Sequence, residues 1–449
     1  MEKSKVLVIG TGISGISAYD LLRANGETPV LFDSNDKLSV EAIKQRLTYP
    51  EDAIIYLGSL PAEIEADIKL VVLSPGVPID SSMVLDFVNK GIKISGEIEL
   101  AYSYEKGNLV AITGTNGKTT TTALTGKIMQ DYYRKAFVVG NIGNPYTKEV
   151  SGSAEDTVSV AEISSFQLET ISTFRPHVSA ILNITPDHLN RHHTMEKYIE
   201  VKESISMNQD KTDYIVLNYE DEVLREYGNN TTAAPIFFSS ATRLENGYYY
   251  EDGTIFYSET GVAKKLIDAD DMNIIGVHNM ENAMAAIAIA SAYGVPMDSI
   301  LKSVREFTAV AHRIEYVATK NGVKYYNDSK GTNVDAAIKG IKAMNSPTLL
   351  IGGGYDKGSE YDEWIEAFDG KVKKLVLIGA TRQKIADCAK KHGFNDYVFA
   401  DTFEEAFNIC VENATSGDCV LLSPACASWG MFDNYEQRGD IFKEYVNRL

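Results

Sequence analysis

The residues best suited to chemistry form one short run, Thr113-Gly114-Thr115-Asn116-Gly117-Lys118-Thr119-Thr120, set between an apolar stretch and a helix-period segment. It ends in the Gly-Lys-Thr of a phosphate-binding loop. The standard spacing, G-x-x-x-x-G-K-[ST], asks for glycine at position 112, where the chain has Ile112, so the loop is a shortened variant. Its physics is retained: backbone N–H groups and Lys118 suit the β- and γ-phosphates of ATP or GTP, and the Thr119 hydroxyl suits Mg²⁺. A second glycine turn, Gly10-Thr-Gly12-Ile-Ser-Gly15, follows a strand pattern and opens a helix, with Asp33 ending the next strand. That is the dinucleotide fingerprint in its expected context. Alone it leaves open a nicotinamide or flavin enzyme, a different nucleotide, and a plain strand-to-helix turn.

Both loops need parallel-sheet elements to hold them, and the chain supplies these throughout. Short apolar runs at residues 5–9, 30–32, 70–73, 109–112, 137–139, 158–161, 178–182, 214–217, 323–326, 349–351, 375–378 and 419–422 alternate with helix-period segments. Most end in Gly, Ser, Asn, Asp or Thr, and ligands gather at such carboxyl ends of strands. Residues 248–257 read as an antiparallel hairpin turning at Asp252-Gly253, and residues 283–292 and 195–207 as helices. Boundaries are expected near residues 95–107 and 308–313. The fold class is therefore α/β, three consecutive domains with mostly parallel sheets.

Composition bounds the partners. The 449 residues hold 43 Lys+Arg and 62 Asp+Glu, a formal charge of −19, with 44% hydrophobic residues. Such a chain can bury large cores, and its acidity argues against a nucleic-acid surface while allowing a small anion held by local cations. Cys388, Cys410, Cys419 and Cys426 show no C-x-x-C spacing, so neither a zinc site nor a disulfide framework is expected. No signal-peptide pattern opens the sequence, and the longest apolar stretch, residues 283–290, is too short to cross a bilayer. A cytoplasmic protein without membrane insertion is expected.

Further segments extend the pattern in order: Gly140-Asn141-Ile142-Gly143, Glu162-Ile-Ser-Ser-Phe-Gln167-Leu-Glu169, Asn183-Ile-Thr-Pro-Asp187-His188-Leu-Asn-Arg-His192, His278-Asn279-Met-Glu-Asn282-Ala283, His312-Arg313, Asn327-Asp328-Ser329-Lys330-Gly331-Thr332-Asn333, and Leu422-Ser-Pro-Ala-Cys-Ala-Ser428-Trp429-Gly-Met-Phe432-Asp-Asn-Tyr435-Glu-Gln-Arg438-Gly439. Together with the Gly-Thr-Asn-Gly-Lys-Thr loop they resemble the Mur ligases, ATP-dependent amide-forming enzymes of peptidoglycan precursor synthesis related to folylpolyglutamate synthases. The resemblance spans essentially the whole chain. It favours the branch that adds D-glutamate to UDP-N-acetylmuramoyl-L-alanine through an acyl phosphate, with a sibling ligase as the nearest alternative.

The resemblance implies a Rossmann-like UDP-sugar domain (1–96), a central P-loop ATPase domain (97–310) and a Rossmann-like amino-acid domain (311–449), in a monomer. ATP would be held by Gly114, Thr115, Asn116, Gly117, Lys118, Thr119 and Thr120, with Asn279 and Asn282 at the adenine and Arg313, Asp328 and Lys330 at the phosphates and ribose. Two Mg²⁺ are implied, one on Thr119 and Glu162 and one near His188 and Lys202. Lys202 would carry a CO₂-derived carbamate, an oxygen ligand that suits a hard cation. Lys118, Glu162, His188 and Lys202 would thus form the catalytic set. The UDP substrate would meet Ile13, Ser14, Asp33, Ser34, Ser74, Gly76, Asn141, Gln167 and His188. D-Glutamate would meet Thr332, Lys357 and Ser428, with Trp429 and Tyr435 lining the pocket. The chain departs from the family pattern at Gly331, usually alanine, and at Trp429, commonly leucine. After the second strand it has Asp33-Ser34-Asn35 where some relatives place an arginine. His192 and His193 have no implied role and are expected at the surface.

Overall fold

The computed structural model describes residues 4–308 and 310–449. The first three residues, which open the first expected domain, and Ala309, inside the second expected boundary, lie outside the described residues, as does the Asn190 side chain.

Three sheets organise the chain. Strands β1 (Lys5–Ile9), β2 (Thr28–Asp33), β3 (Ile54–Leu57), β4 (Ile68–Leu73) and β5 (Lys93–Gly96) make a wholly parallel sheet in the order β3-β2-β1-β4-β5. The second sheet holds β6 (Asn108–Thr113), β7 (Ala136–Gly140), β8 (Val158–Glu162), β9 (Val178–Ile181), β10 (Tyr214–Asn218), β11 (Ala234–Ser239), β12 (Gly247–Glu251), β13 (Thr254–Glu259) and β14 (Val262–Asp268). Its order is β14-β13-β12-β11-β10-β9-β6-β8-β7. The third holds β15 (Glu315–Lys320), β16 (Val323–Asn327), β17 (Thr348–Gly354), β18 (Val372–Gly379), β19 (Tyr397–Phe399) and β20 (Cys419–Leu422), ordered β15-β16-β20-β17-β18-β19. Only β15 runs antiparallel to its neighbour there.

Alternation along each strand explains why both sheet faces are covered. Val6 and Val8 enter one buried cluster while Leu7 and Ile9 enter another, and Leu349 and Ile351 separate from Leu350 in the same way. The Val6 cluster continues through Leu109, Ala111 and Ala161, so the first two sheets share a core. They belong to one compact unit, residues up to Leu266 with Glu281–Val304; the other comprises Ile267–Met280 and Arg305–Leu449.

The expected hairpin is present, Glu251 pairing with Thr254 across Asp252 and Gly253, both at positive φ. The helix expected over 283–292 begins earlier, at Val277. That expected over 195–207 is α-helical for Met195–Glu203 and tightens to a 3₁₀ turn over Ser204–Ser206. All four cysteines are free thiols.

Candidate active site

In the second sheet, β6 lies between β8 and β9, and the chain leaves their carboxyl ends as loops, the place where α/β sheets bind ligands. After Thr113 the backbone adopts φ +146° at Gly114 and +85° at Gly117. A Cβ at Gly117 would meet Asn282 Oδ1 at 2.3 Å, so glycine is required there by both conformation and space. Asn183 fixes the loop: its carbonyl accepts the Thr115 N–H (2.9 Å), its Oδ1 accepts the Asn116 N–H (2.8 Å), and its Nδ2 donates to the Asn116 carbonyl (3.1 Å). The helix Lys118–Tyr132 then starts without a side-chain cap, leaving first-turn N–H groups suited to an anion. Lys118 Nζ donates to the carbonyls of Gly114 and Thr115 at 2.8 and 2.9 Å. Thr119 is half-buried and Thr120 buried, while Thr121 Oγ1 donates to Asn282 Oδ1 at 3.2 Å.

Glu162 closes β8 and is buried. Its Oε1 accepts from Asn141 Nδ2 at 2.8 Å, but its buried Oε2 has no protein partner. Lys202, on the helix Met195–Glu203, is only 1% exposed. Its Nζ donates to the Gly114 carbonyl (2.9 Å) and to Thr113 Oγ1 (3.5 Å) and lies 4.8 Å from the Tyr198 ring centre. Burial first, and then the Lys118 charge, hold its pKa well below the ordinary lysine value, favouring the neutral amine. His188 is exposed in a left-handed conformation (φ +53°), its ring 4.9 Å from that of Phe166.

His192 corrects the surface expectation: it is buried, Nε2 lying 2.9 Å from Ser165 Oγ and Nδ1 3.5 Å from Glu169. Burial, then the neighbouring Arg191 charge, lowers its pKa to about 4. His193 is exposed, as expected. Gln167 completes a capping box in which its Oε1 accepts the Ser164 N–H and hydroxyl, each at 2.9 Å.

In the first sheet the chain order reverses at β1, between β2 and β4. There Gly10 and Gly15 pack so closely that a Cβ on Gly15 would stand 1.9 Å from the Gly10 carbonyl oxygen. Asp33 accepts from the Thr11 N–H (3.0 Å), the Thr11 hydroxyl (2.8 Å) and the Asn35 N–H (3.0 Å). Burial raises its pKa, but these hydrogen bonds outweigh burial and the net shift is downward. Ser74 follows β4, its buried hydroxyl unpartnered. Ile13, Ser34 and Gly76 are exposed and Ser14 half-buried.

The second unit carries the remaining predicted residues. Asn279 donates to the Ile275 carbonyl at 2.8 Å. Asp328 is buried after β16, accepting from Ser423 Oγ (2.7 Å) and the Ile314 N–H (3.2 Å), and burial raises its pKa to about 7. Arg313 Nε is buried with no partner. Lys330 Nζ lies 5.6 Å from the Tyr435 ring centre, Lys357 Nζ 5.0 Å from that of Trp429, and Trp429 is 54% exposed. Thr332 is half-buried and Ser428 buried. Gly331 fits its surroundings: a Cβ would stand 2.6 Å from Asp328 Oδ2.

Two residues without an assigned role organise these loops. One is Asn183. The other is Arg438, fully buried, donating to Ser329 Oγ (2.9 Å), the Ser329 carbonyl (2.7 Å) and the Cys426 carbonyl (3.3 Å). Both lay within or beside the recognised segments, but nothing in their spacing marks a side chain that bonds backbone far away in sequence.

Comparison with known proteins covers most of the chain. Residues 4–96 match the Mur ligase MurD-like N-terminal domain, 112–290 the Mur ligase middle domain, and 312–426 the Mur ligase glutamate ligase domain. A UDP-N-acetylmuramoylalanine–D-glutamate ligase of Lachnospira eligens is 57% identical over 449 residues, covering all of both chains. One of Lachnoclostridium phytofermentans is 55% identical, covering 99% of this chain and 98% of that protein. Among solved structures, the UDP-N-acetylmuramate-alanine ligase MurC of Thermotoga maritima superposes with a TM-score of 0.61 at 20% identity over 99% of both chains, a likeness of fold.

Proposed function

The chain belongs to the Mur ligase family, and from that premise we propose that it joins D-glutamate to UDP-N-acetylmuramoyl-L-alanine at the expense of ATP. The observation that carries the substrate assignment is the 57% identity, over all of both chains, to a D-glutamate ligase. The substrate carboxylate attacks the γ-phosphorus, ADP leaves, and an acyl phosphate results. The D-glutamate amine then attacks the acyl carbon, phosphate departs with the C–O bond electrons, and the amine loses a proton to form the amide.

Each proposed role rests on chemistry in the chain. Gly114 to Thr120 present a glycine-shaped loop and an uncapped helix N-terminus to the ATP phosphates, with Lys118 offsetting charge on the transferring group. Asn279 and Asn282 serve the adenine, and Arg313, Asp328 and Lys330 the phosphates and ribose. The donor set fits Mg²⁺, since the Thr119 hydroxyl and the unpartnered Glu162 Oε2 are hard oxygen ligands. When bound, Mg²⁺ offsets phosphate charge and polarises the phosphoryl oxygens. His188 and Lys202 would serve a second ion. Lys202 suits carbamylation because its burial favours the nucleophilic neutral amine. Its nitrogen bonds to CO₂ carbon, one N–H proton goes to solvent, and the anionic product faces the Lys118 charge.

Ile13, Ser14, Asp33, Ser34, Ser74, Gly76, Asn141, Gln167 and His188 are assigned to the UDP substrate. Thr332, Lys357, Ser428, Trp429 and Tyr435 are assigned to D-glutamate, whose two carboxylates call for a cation and O–H donors. The division 1–96, 97–310 and 311–449 gives each ligand a domain. No helix among the described residues is long and apolar enough to cross a membrane. The protein is assigned as a cytoplasmic monomer, and its formal charge of −19 supports the absence of a nucleic-acid partner.

Phosphate release with UDP-N-acetylmuramoyl-L-alanine and a panel of D-glutamate, L-glutamate, L-alanine, L-lysine and diaminopimelate tests the assignment. Turnover is expected with D-glutamate alone; turnover with another member and not D-glutamate refutes it. Lys202→Ala should lose activity and regain part of it with acetate. Full activity without rescue overturns the carbamate.

A further inference from the structure

The last α/β domain carries a cluster that the ligase reaction leaves unused. Helix Asp362–Glu366 offers Asp362 and Glu366 four residues apart, and helix Arg382–Lys391 with its cap offers Cys388 and His392 at the same spacing. Four-residue spacing puts each pair on one helical face. The ligand atoms of Asp362, Cys388 and His392 lie within 4.8 Å of one another. We propose that these three side chains bind a borderline transition-metal dication, with Zn²⁺ as the type.

Geometry and donor chemistry both support this. In a tetrahedral zinc site, bonds of about 2.0–2.3 Å separate ligand atoms by about 3.3–3.8 Å. Here Asp362 Oδ1 and His392 Nε2 are 2.8 Å apart and the widest pair is within 4.8 Å, so side-chain adjustments suffice. Glu366 Oε1 lies 3.6 Å from His392 Nδ1, positioned to orient the imidazole as carboxylates do behind metal-bound histidines. A thiolate and an imidazole select Zn²⁺-like ions over the Mg²⁺ used in catalysis. The competing cation is Lys391, whose Nζ is 2.6 Å from Asp362 Oδ1 and whose side chain is 70% exposed, so it can withdraw into water. As the Cys388 Sγ–metal and His392 Nε2–metal bonds form, the thiol proton and the Nε2 proton pass to solvent, and the imidazole holds its one remaining proton on Nδ1, facing Glu366. The ion would tie the two helices together.

Full-length protein titrated with Co²⁺ in excess Mg²⁺ should develop a thiolate-to-cobalt charge-transfer band that Zn²⁺ abolishes. Cys388→Ser should lack the band, and Asp362→Asn should weaken binding by about tenfold or more. Both variants should release phosphate with D-glutamate at the wild-type rate, which verifies folding. Because the other three cysteines are buried, alkylation reads Cys388, and Zn²⁺ should slow it by about tenfold or more. A wild-type protein without the band, an equal band in Cys388→Ser, unchanged affinity in Asp362→Asn, or alkylation indifferent to Zn²⁺ each overturns the proposal.

Discussion

Arg438→Met asks whether a single buried guanidinium positions the two loops assigned to D-glutamate. Methionine keeps much of the apolar volume but donates nothing, so the Ser329 and Cys426 carbonyls lose their donor. Each orphaned acceptor costs roughly 1–3 kcal/mol, roughly 2–6 kcal/mol together. Against this stands the cost of the charge: burial lowers the guanidinium pKa from its ordinary arginine value to about 10, equivalent to about 3 kcal/mol. A base with a depressed folded pKa is destabilised while charged, here at every pH below about 10, and methionine removes that cost. The net change therefore lies between a gain of about 1 and a loss of about 3 kcal/mol, a drop in melting temperature of at most roughly 10 °C. Function should suffer more, because Ser329 precedes Lys330 and Thr332 while Cys426 precedes Ser428. Misplaced contacts should raise KM for D-glutamate on the order of 10–100-fold and leave KM for the UDP substrate nearly unchanged. Arg438→Lys should fall between, since one ammonium cannot reproduce the planar fork. Phosphate release with each substrate varied, alongside melting curves, measures both effects. A D-glutamate KM unchanged in Arg438→Met refutes the positioning role, as does an equal rise in every KM.

Three further outcomes are expected. Asp328 has a folded pKa of about 7 against 3.8, so the folded state holds its proton longer and stability falls as pH rises through that window, by up to about 4 kcal/mol. Asp328→Asn should abolish this component in denaturant unfolding from pH 4 to 7.5, and an unchanged slope would contradict the raised pKa. Gly331→Ala places a methyl 2.6 Å from Asp328 Oδ2 and should cost about 1–3 kcal/mol; unaltered melting would show that the loop yields freely. Glu162→Gln, keeping shape and removing an anionic ligand, should abolish the added stabilisation by Mg²⁺–ATP while melting without ligand stays level or rises; equal stabilisation of variant and wild type would exclude Glu162 as a metal ligand.

All but one of the strands that sequence periodicity passed over share a reason. β3, β5, β14, β15 and β19 are edge strands, partly open to water, so their sequences carry weaker apolar signals, such as Lys264-Lys265 in β14. β11 is interior but contains Pro235, which masks a strand pattern. The glycine turns were legible because a positive φ or a close backbone approach admits few other residues. His192 was misread because histidine occurs both at surfaces and, satisfied, in cores.

Sequence by itself determined the α/β class, the phosphate loop, the ordered segments of the family and the absence of any local zinc motif. These depend on short-range constraints: strand period, turn sterics and neighbouring residue types. Tertiary structure alone decided that Asn183 braces the phosphate loop, that Arg438 joins the Ser329 and Cys426 loops, that Gly331 has no room for a methyl group, and that Asp362 meets Cys388 and His392. Each depends on groups brought together by sheet order and helix docking, and no local pattern encodes the distance between residues on different elements.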